Sequence, residues 1–197
     1  MLDSSARSFV QPVIEKVARL LHLRGISPNA VTGAAFATGL LAAAAYAADF
    51  SRSALALLWL SGFLDVTDGT VARFSGRVSP LGTLFDLVGD RVVEAAFIVA
   101  TAALFPESRF ACVLLLASVV FSFSVFLIVG MLSEKKEKTE KSFYYQAGLA
   151  ERTETFIVFS LVILWPEYAA PLFYLFTAMI VFTGCQRFRE ACGYLKG

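Results

Sequence analysis

Between Asp65 and Asp90 the sequence reads DVTDGTVARFSGRVSPLGTLFDLVGD, which sets Asp65, Asp68, Asp86 and Asp90 between two apolar runs, Ser53 to Leu64 and Ala95 to Phe105. Asp65 and Asp68 are three apart and Asp86 and Asp90 four apart, so at about 100° per residue each pair projects from one face of a helix. Two antiparallel helices joined by the intervening loop would bring the four carboxylates together. Acids inside a membrane are costly enough to point to function. Four like charges in a low dielectric repel unless cations lie between them, and oxygen ligands without His or Cys suit Mg²⁺, Mn²⁺ or Ca²⁺. A two-metal site is the natural outcome. Gly69 and Ala72 share the face of Asp65 and Asp68, and Gly82 lies one turn before Asp86, so small residues leave a pocket beside the acids. Arg73 and Arg77 sit at its mouth, where guanidinium groups can bind phosphate oxygens bidentately.

The rest of the chain says membrane. Of 197 residues, 57% are hydrophobic and 17% charged, with a mean hydropathy of +0.69, far from the balance of a soluble domain. One histidine, His22, leaves no zinc ligand set. Cys112, Cys185 and Cys192 are scattered without a CxxC and are expected as free thiols. The polar, acidic start at Asp3 does not fit a cleaved signal peptide, so insertion is expected to use the spans themselves.

From about Ser8 to Leu23, Val10, Val13, Ile14, Val17, Leu20 and Leu21 recur at helical spacing, with Glu15, Lys16 and Arg19 opposite and Pro12 in the first turn. That pattern predicts an amphipathic helix in the membrane interface. Six spans are then expected. They cover residues 29–48 (rich in Gly and Ala), the segment from Ser53 through Asp68, the segment from Pro80 to Phe105, Phe110 to Leu132, a short one around Phe156 to Trp165 reaching back through Gly148, and Tyr168 to Gly184. Ser133 to Lys141 reads as a solvated loop. The fold expected is therefore all-α integral membrane, with residues 1–27 a juxtamembrane helix and 28–197 a six-transmembrane-helix bundle. If both termini are cytosolic, only Arg52 and Arg109 of the 17 basic residues fall outside, with Arg91 inside a span, as the positive-inside rule requires. Asp90 then lies roughly 15 Å along its helix from Pro80, near the cytosolic leaflet.

Asp65-Val-Thr-Asp68-Gly69-Thr-Val-Ala72-Arg73, followed by Gly82, Asp86 and Asp90 at the same intervals, resembles the CDP-alcohol phosphotransferase signature DxxDGxxARx8GxxxDxxxD at every fixed position. Ser27-Pro28-Asn29 and Gly148-Leu149-Ala150-Glu151-Arg152 also look like features of that family. The resemblance implies transfer of a phosphatidyl group from a CDP-linked lipid, usually CDP-diacylglycerol, to an acceptor alcohol with release of CMP, in phospholipid biosynthesis. It implies Mg²⁺ or Mn²⁺, two ions per site, held by Asp65, Asp68, Asp86 and Asp90. Asp90 would also be the base that takes the acceptor proton, while Gly69, Ala72, Arg73 and Ser79 would bind the nucleotide. A homodimer is implied as well, and no nucleic acid partner is expected. The acceptor leans to inositol phosphate or glycerol phosphate, because Arg152, between Glu151 and Glu154, could be fixed by ion pairs at the cavity edge to bind a phosphate, with Arg187 or Arg189 assisting. An ion- or proton-coupled transporter is the alternative, but broken helices in paired halves are not visible. A scaffold would have no reason to bury four acids.

Overall fold

The computed structural model describes residues 2–76, 79–137 and 152–196. They form seven α-helices: α1 (Leu2–Leu23), α2 (Pro28–Ala47), α3 (Ser51–Ser75), α4 (Pro80–Leu104), α5 (Arg109–Glu137), α6 (Arg152–Leu164) and α7 (Ala169–Lys196). Two of them open on the same Ser-Pro pair. The Ser27 hydroxyl accepts the Ala30 N–H at 3.3 Å and the Ser79 hydroxyl accepts the Gly82 N–H at 3.1 Å, while Pro28 and Pro80 preset the first helical φ. α3 stops where Gly76 turns left-handed at φ 63°, a conformation that favours glycine. Matching short 3₁₀ turns, Pro106–Ser108 and Pro166–Tyr168, join α4 to α5 and α6 to α7.

α2 packs on both α3 and α4, α5 packs on α7, and α6 bridges α3 and α7. The two acid-bearing helices therefore flank a cleft whose third wall is α2. Close approach at these crossings needs small residues. A Cβ on Gly39 would lie 2.7 Å from Val93, and one on Gly62 2.5 Å from Phe156. Beyond the cleft the rings of Tyr46, Phe97, Phe159 and Phe173 form a buried column through α2, α4, α6 and α7, with successive centroids 5.0, 4.9 and 6.3 Å apart. In lipid, apolar surface alone does not drive helices together, so ring packing of this kind and ties such as Ser61 Oγ to the Ala35 carbonyl (2.8 Å) and Trp59 Nε1 to Ser160 Oγ (3.1 Å) hold the bundle.

The chain is a multi-pass membrane protein, all-helical among the described residues. Four helical stretches, Pro28–Ala47, Ser51–Ser75, Pro106–Leu132 and Pro166–Gly193, are long and apolar enough to cross a membrane. α4 carries Asp86, Asp90, Arg91 and Glu94, and α6 has 13 residues, about 20 Å against a ~30 Å hydrocarbon core. Both therefore fall short of that standard when taken alone. The three cysteines are free thiols.

Several boundaries differ from the sequence expectation. α1 starts at Leu2, and Pro12 lies in its body rather than its first turn. A proline removes one backbone bond without having to end a helix. α1 also packs on α3 and α6, burying Ile14 and Ala18, while Val10, Val13, Leu20 and Leu23 stay exposed. α5 continues through Glu137, so the first half of the expected charged loop is helical. Its Glu and Lys residues are strong helix formers. α7 runs on to Lys196, well past Gly184, aided by the Gln186 amide donating to Glu190 at 3.2 Å. Arg77, Lys138, Lys141 and the stretch Gly148 to Glu151 lie outside the described residues.

Candidate active site

The cleft brings carboxylate oxygens of Asp65, Asp68 and Asp86 within 4.8 Å of one another. The i,i+3 spacing on α3 and the position of Asp86 two turns into α4 produce this convergence, as the sequence spacing predicts. Asp68 is buried and accepts a hydrogen bond from the Thr32 hydroxyl at 2.5 Å. Asp86 Oδ1 is buried with no hydrogen-bond partner. An all-oxygen cluster with an unpartnered buried carboxylate oxygen fits a hard divalent cation, which would supply the missing charge.

Asp90 does something else. Its Oδ2 is paired with Arg152 Nη1, and the same guanidinium reaches Asp65 Oδ1 through Nη2 at 2.9 Å. The sequence suggested Glu151 and Glu154 as ion-pair partners of Arg152, and the pairing with Asp65 and Asp90 was not foreseen. α6 packs on α3 with Arg152 as its first helical residue, so the side chain reaches the acids of the cleft. There two carboxylates withdrawn from bulk solvent attract it more strongly than solvated ones would. Glu151 lies outside the described residues.

Cavities adjoin this region, one sharing Asp68 and Asp86 with the cluster and another bordered by Arg152. One of about 170 Å³ is walled by Asn29, Asp68, Gly69, Ala72, Arg73 and Ser79, so it gathers all the residues expected to bind nucleotide. A Cβ on Gly69 would meet only Arg73 Nη1, at 3.7 Å, whereas one on Gly82 would press on Asn29 Oδ1 and Ser79 Oγ at 3.2 Å. Arg73 Nη2 donates to Thr70 Oγ1 at 2.8 Å, which steadies its fork. The second cavity, about 210 Å³, is lined by Arg91, Glu94, Arg152, Thr155 and Arg187 together with apolar side chains. Arg91 pairs with Glu94, and Arg91 and Arg187 lie 5.5 and 5.9 Å over the rings of Phe123 and Phe126. Arg189 is not in either cavity. It opens on a separate depression with Phe182, Cys185, Gln186 and Glu190.

Sequence reasoning missed Thr32 and the place of Arg91 and Glu94. Thr32 is one hydroxyl in a Gly- and Ala-rich helix, and its partner is 36 residues away. Thr32→Val preserves shape and removes the donor, so if the cluster holds a divalent cation, Mn²⁺ affinity should fall about 10-fold or more, as when a carboxylate that holds a metal loses its supporting hydrogen bond. A Mn²⁺ titration with unchanged affinity would show that the bond is only structural.

The chain is similar to several known proteins. Residues 25–185 match the CDP-alcohol phosphatidyltransferase family. Inner membrane protein YnjF of Escherichia coli is 32% identical over 197 residues, 95% of this chain and 93% of that protein. Archaetidylinositol phosphate synthase of Pyrococcus horikoshii is 33% identical over 95 residues, 48% of this chain and 50% of that enzyme. The crystal structure of Mycobacterium tuberculosis phosphatidylinositol phosphate synthase with CDP-DAG bound superposes with a TM-score of 0.71 at 20% identity, covering 91% and 94% of the two chains. The same enzyme with manganese and citrate gives 0.70 at 20% identity, over 90% and 88%.

Proposed function

The chain belongs to the CDP-alcohol phosphatidyltransferase family, and on that premise we propose that it moves the phosphatidyl group of CDP-diacylglycerol to a polar alcohol that carries its own phosphate, inositol phosphate or glycerol phosphate. The observation that carries the reading is a three-carboxylate cluster beside a cavity lined by Gly69 and Arg73, with Arg152 linking the acids to a second cavity lined by Arg91 and Arg187. The donor reading draws support from the relative solved with CDP-DAG, and the acceptor reading from relatives named as inositol phosphate lipid synthases.

Asp65, Asp68 and Asp86, with Asp90, would hold Mg²⁺ or Mn²⁺. The ions' chemistry is to neutralise the diphosphate and ease departure of CMP. Gly69 and Ala72 let the nucleotide lie close to α3, Arg73 binds its phosphate oxygens, and Ser79 borders the same cavity while capping α4. Asp90 takes the acceptor hydroxyl proton as that oxygen bonds to phosphorus and the bond from phosphorus to the CMP oxygen breaks. Arg152 binds the acceptor phosphate, with Arg187 assisting from the same cavity. Arg189, on its separate depression, has no part in this reading. α4 and α6 complete six crossings, residues 1–27 form the juxtamembrane segment, both termini face the cytosol, and CMP leaves on that side.

Purified protein given CDP-diacylglycerol and a panel of acceptors tests this directly. Metal-dependent CMP release should appear with inositol phosphate or glycerol phosphate. At saturating metal, Arg152→Ala should raise the acceptor KM about tenfold or more, the worth of a charge-assisted hydrogen bond, with a much smaller change for the donor. Equal effects on both substrates, or transfer only to neutral alcohols, would overturn the acceptor assignment.

A further inference from the structure

Asp65 is claimed twice. Its carboxylate belongs to the three-acid cluster, and its Oδ1 is also the acceptor of Arg152 Nη2 at 2.9 Å, while Arg152 Nη1 holds Asp90. One guanidinium thus spans α3 and α4 across the mouth of the cluster, as a cation would. A divalent cation drawing on Asp65 competes with the guanidinium for the same carboxylate charge and repels it at close range. Arg152 also borders the second cavity, and its buried Nε has no hydrogen-bond partner. The side chain therefore borders a space lined by Arg91 and Arg187 and keeps one donor, Nε, without a partner.

The geometry points to Arg152 as a resident counter-ion of Asp65 and Asp90 that divalent cation loading displaces, so that its guanidinium completes the anion site of the second cavity only in the metal-loaded protein. Without the ion, the arginine limits repulsion among acids buried in one cleft. With the ion in place, the same charge becomes surplus at the acids and available to an incoming phosphate. Binding order is then built into the site, with metal first and the phosphate-bearing acceptor after it. This deepens the reading of the second cavity as the acceptor site and rests on it.

The test uses the full chain in lipid nanodiscs without donor or acceptor. Free Mn²⁺ is followed by electron paramagnetic resonance for the wild type, Arg152→Gln and Arg152→Lys. Gln removes the competing charge, so the weakest Mn²⁺ site should tighten about tenfold or more. Lys, a point charge without the fork that spans two acids, should tighten it by less. The metal-free Gln variant should also melt below the wild type and regain more on adding Mn²⁺. Should the Gln variant not fold without metal, the Lys variant carries the comparison. Mn²⁺ affinity equal to or weaker than wild type in every folded variant would overturn the proposal. Inorganic phosphate is the second probe. Calorimetry should detect its binding to wild type with Mn²⁺, find it about tenfold weaker without Mn²⁺, and find it weakened as much by Arg152→Gln with Mn²⁺ present. Phosphate affinity independent of Mn²⁺ would likewise overturn it. Neither titration involves CDP-diacylglycerol, so an absence of CMP release with every acceptor would count against the transfer reading alone.

Discussion

Asp90→Asn is expected to lower CMP release about 10²- to 10⁴-fold, the range lost with a general base, while Mn²⁺ remains bound. Asn has nearly the shape of Asp but cannot take a proton at neutral pH. The three-acid cluster of Asp65, Asp68 and Asp86 does not include Asp90, so most of the metal site survives the change. In the metal-free variant Arg152 can still pair with Asp65 through Nη2, so the apo fold is not undone by the change. The loss should therefore fall on kcat, with the donor KM within a few-fold of wild type. Near wild-type turnover would remove Asp90 from proton transfer, and loss of Mn²⁺ binding equal to that of a cluster variant would reassign it to metal holding alone.

The second large effect is expected at Asp86. Its Oδ1 is buried and without a hydrogen-bond partner, a costly state for a carboxylate unless a cation completes it. Asp86→Asn should abolish measurable Mn²⁺ binding at the cluster and, with it, turnover by several orders of magnitude. Exhaustive chelation should do the same to the wild type, reversed by Mg²⁺ or Mn²⁺ there but not in the variant. Stability should move the other way. Removing one of several like charges from a closed cleft relieves repulsion, so the metal-free variant should melt at or above the metal-free wild type. That opposition separates loss of a ligand from misfolding. Full activity of chelated wild type would overturn the metal reading.

What the sequence made legible was whatever is encoded locally. The two acid faces, the Ser-Pro helix starts at 27–28 and 79–80, and the small residues beside Asp68 all follow from spacing along one helix or from capping chemistry. The contacts that complete the site are not local. Arg152 reaches Asp90 across 62 residues and Thr32 reaches Asp68 across 36, and no periodicity links them. For Arg152 the sequence suggested only its neighbours Glu151 and Glu154, because the pairing with Asp65 and Asp90 depends on the packing of α6 on α3. Helix ends were misjudged for the opposite reason. Charge was taken to mark the end of α5 near Leu132, yet Glu and Lys favour helix whether or not lipid surrounds them. Arg187 and Arg189 are alike on paper, two residues apart on one helix, and that separation turns them about 200° from each other. One therefore lines the second cavity and the other does not.

The ring column of Tyr46, Phe97, Phe159 and Phe173 also has an electrical consequence. Phe97 lies roughly 10 Å further along α4 than Asp90, and Leu58 and Phe159 line the inner part of the acid cavity. Moving one elementary charge through a membrane held at 100 mV is worth about 2.3 kcal/mol, so a hydrated acidic channel running through the whole bundle would drain the gradient across it. Tyr46, Phe97 and Phe159 stack face to face at 5.0 and 4.9 Å and are buried, so no water fits between those ring faces. Among the described residues these buried rings set an apolar barrier beside the acids, in the direction in which a leak would have to run.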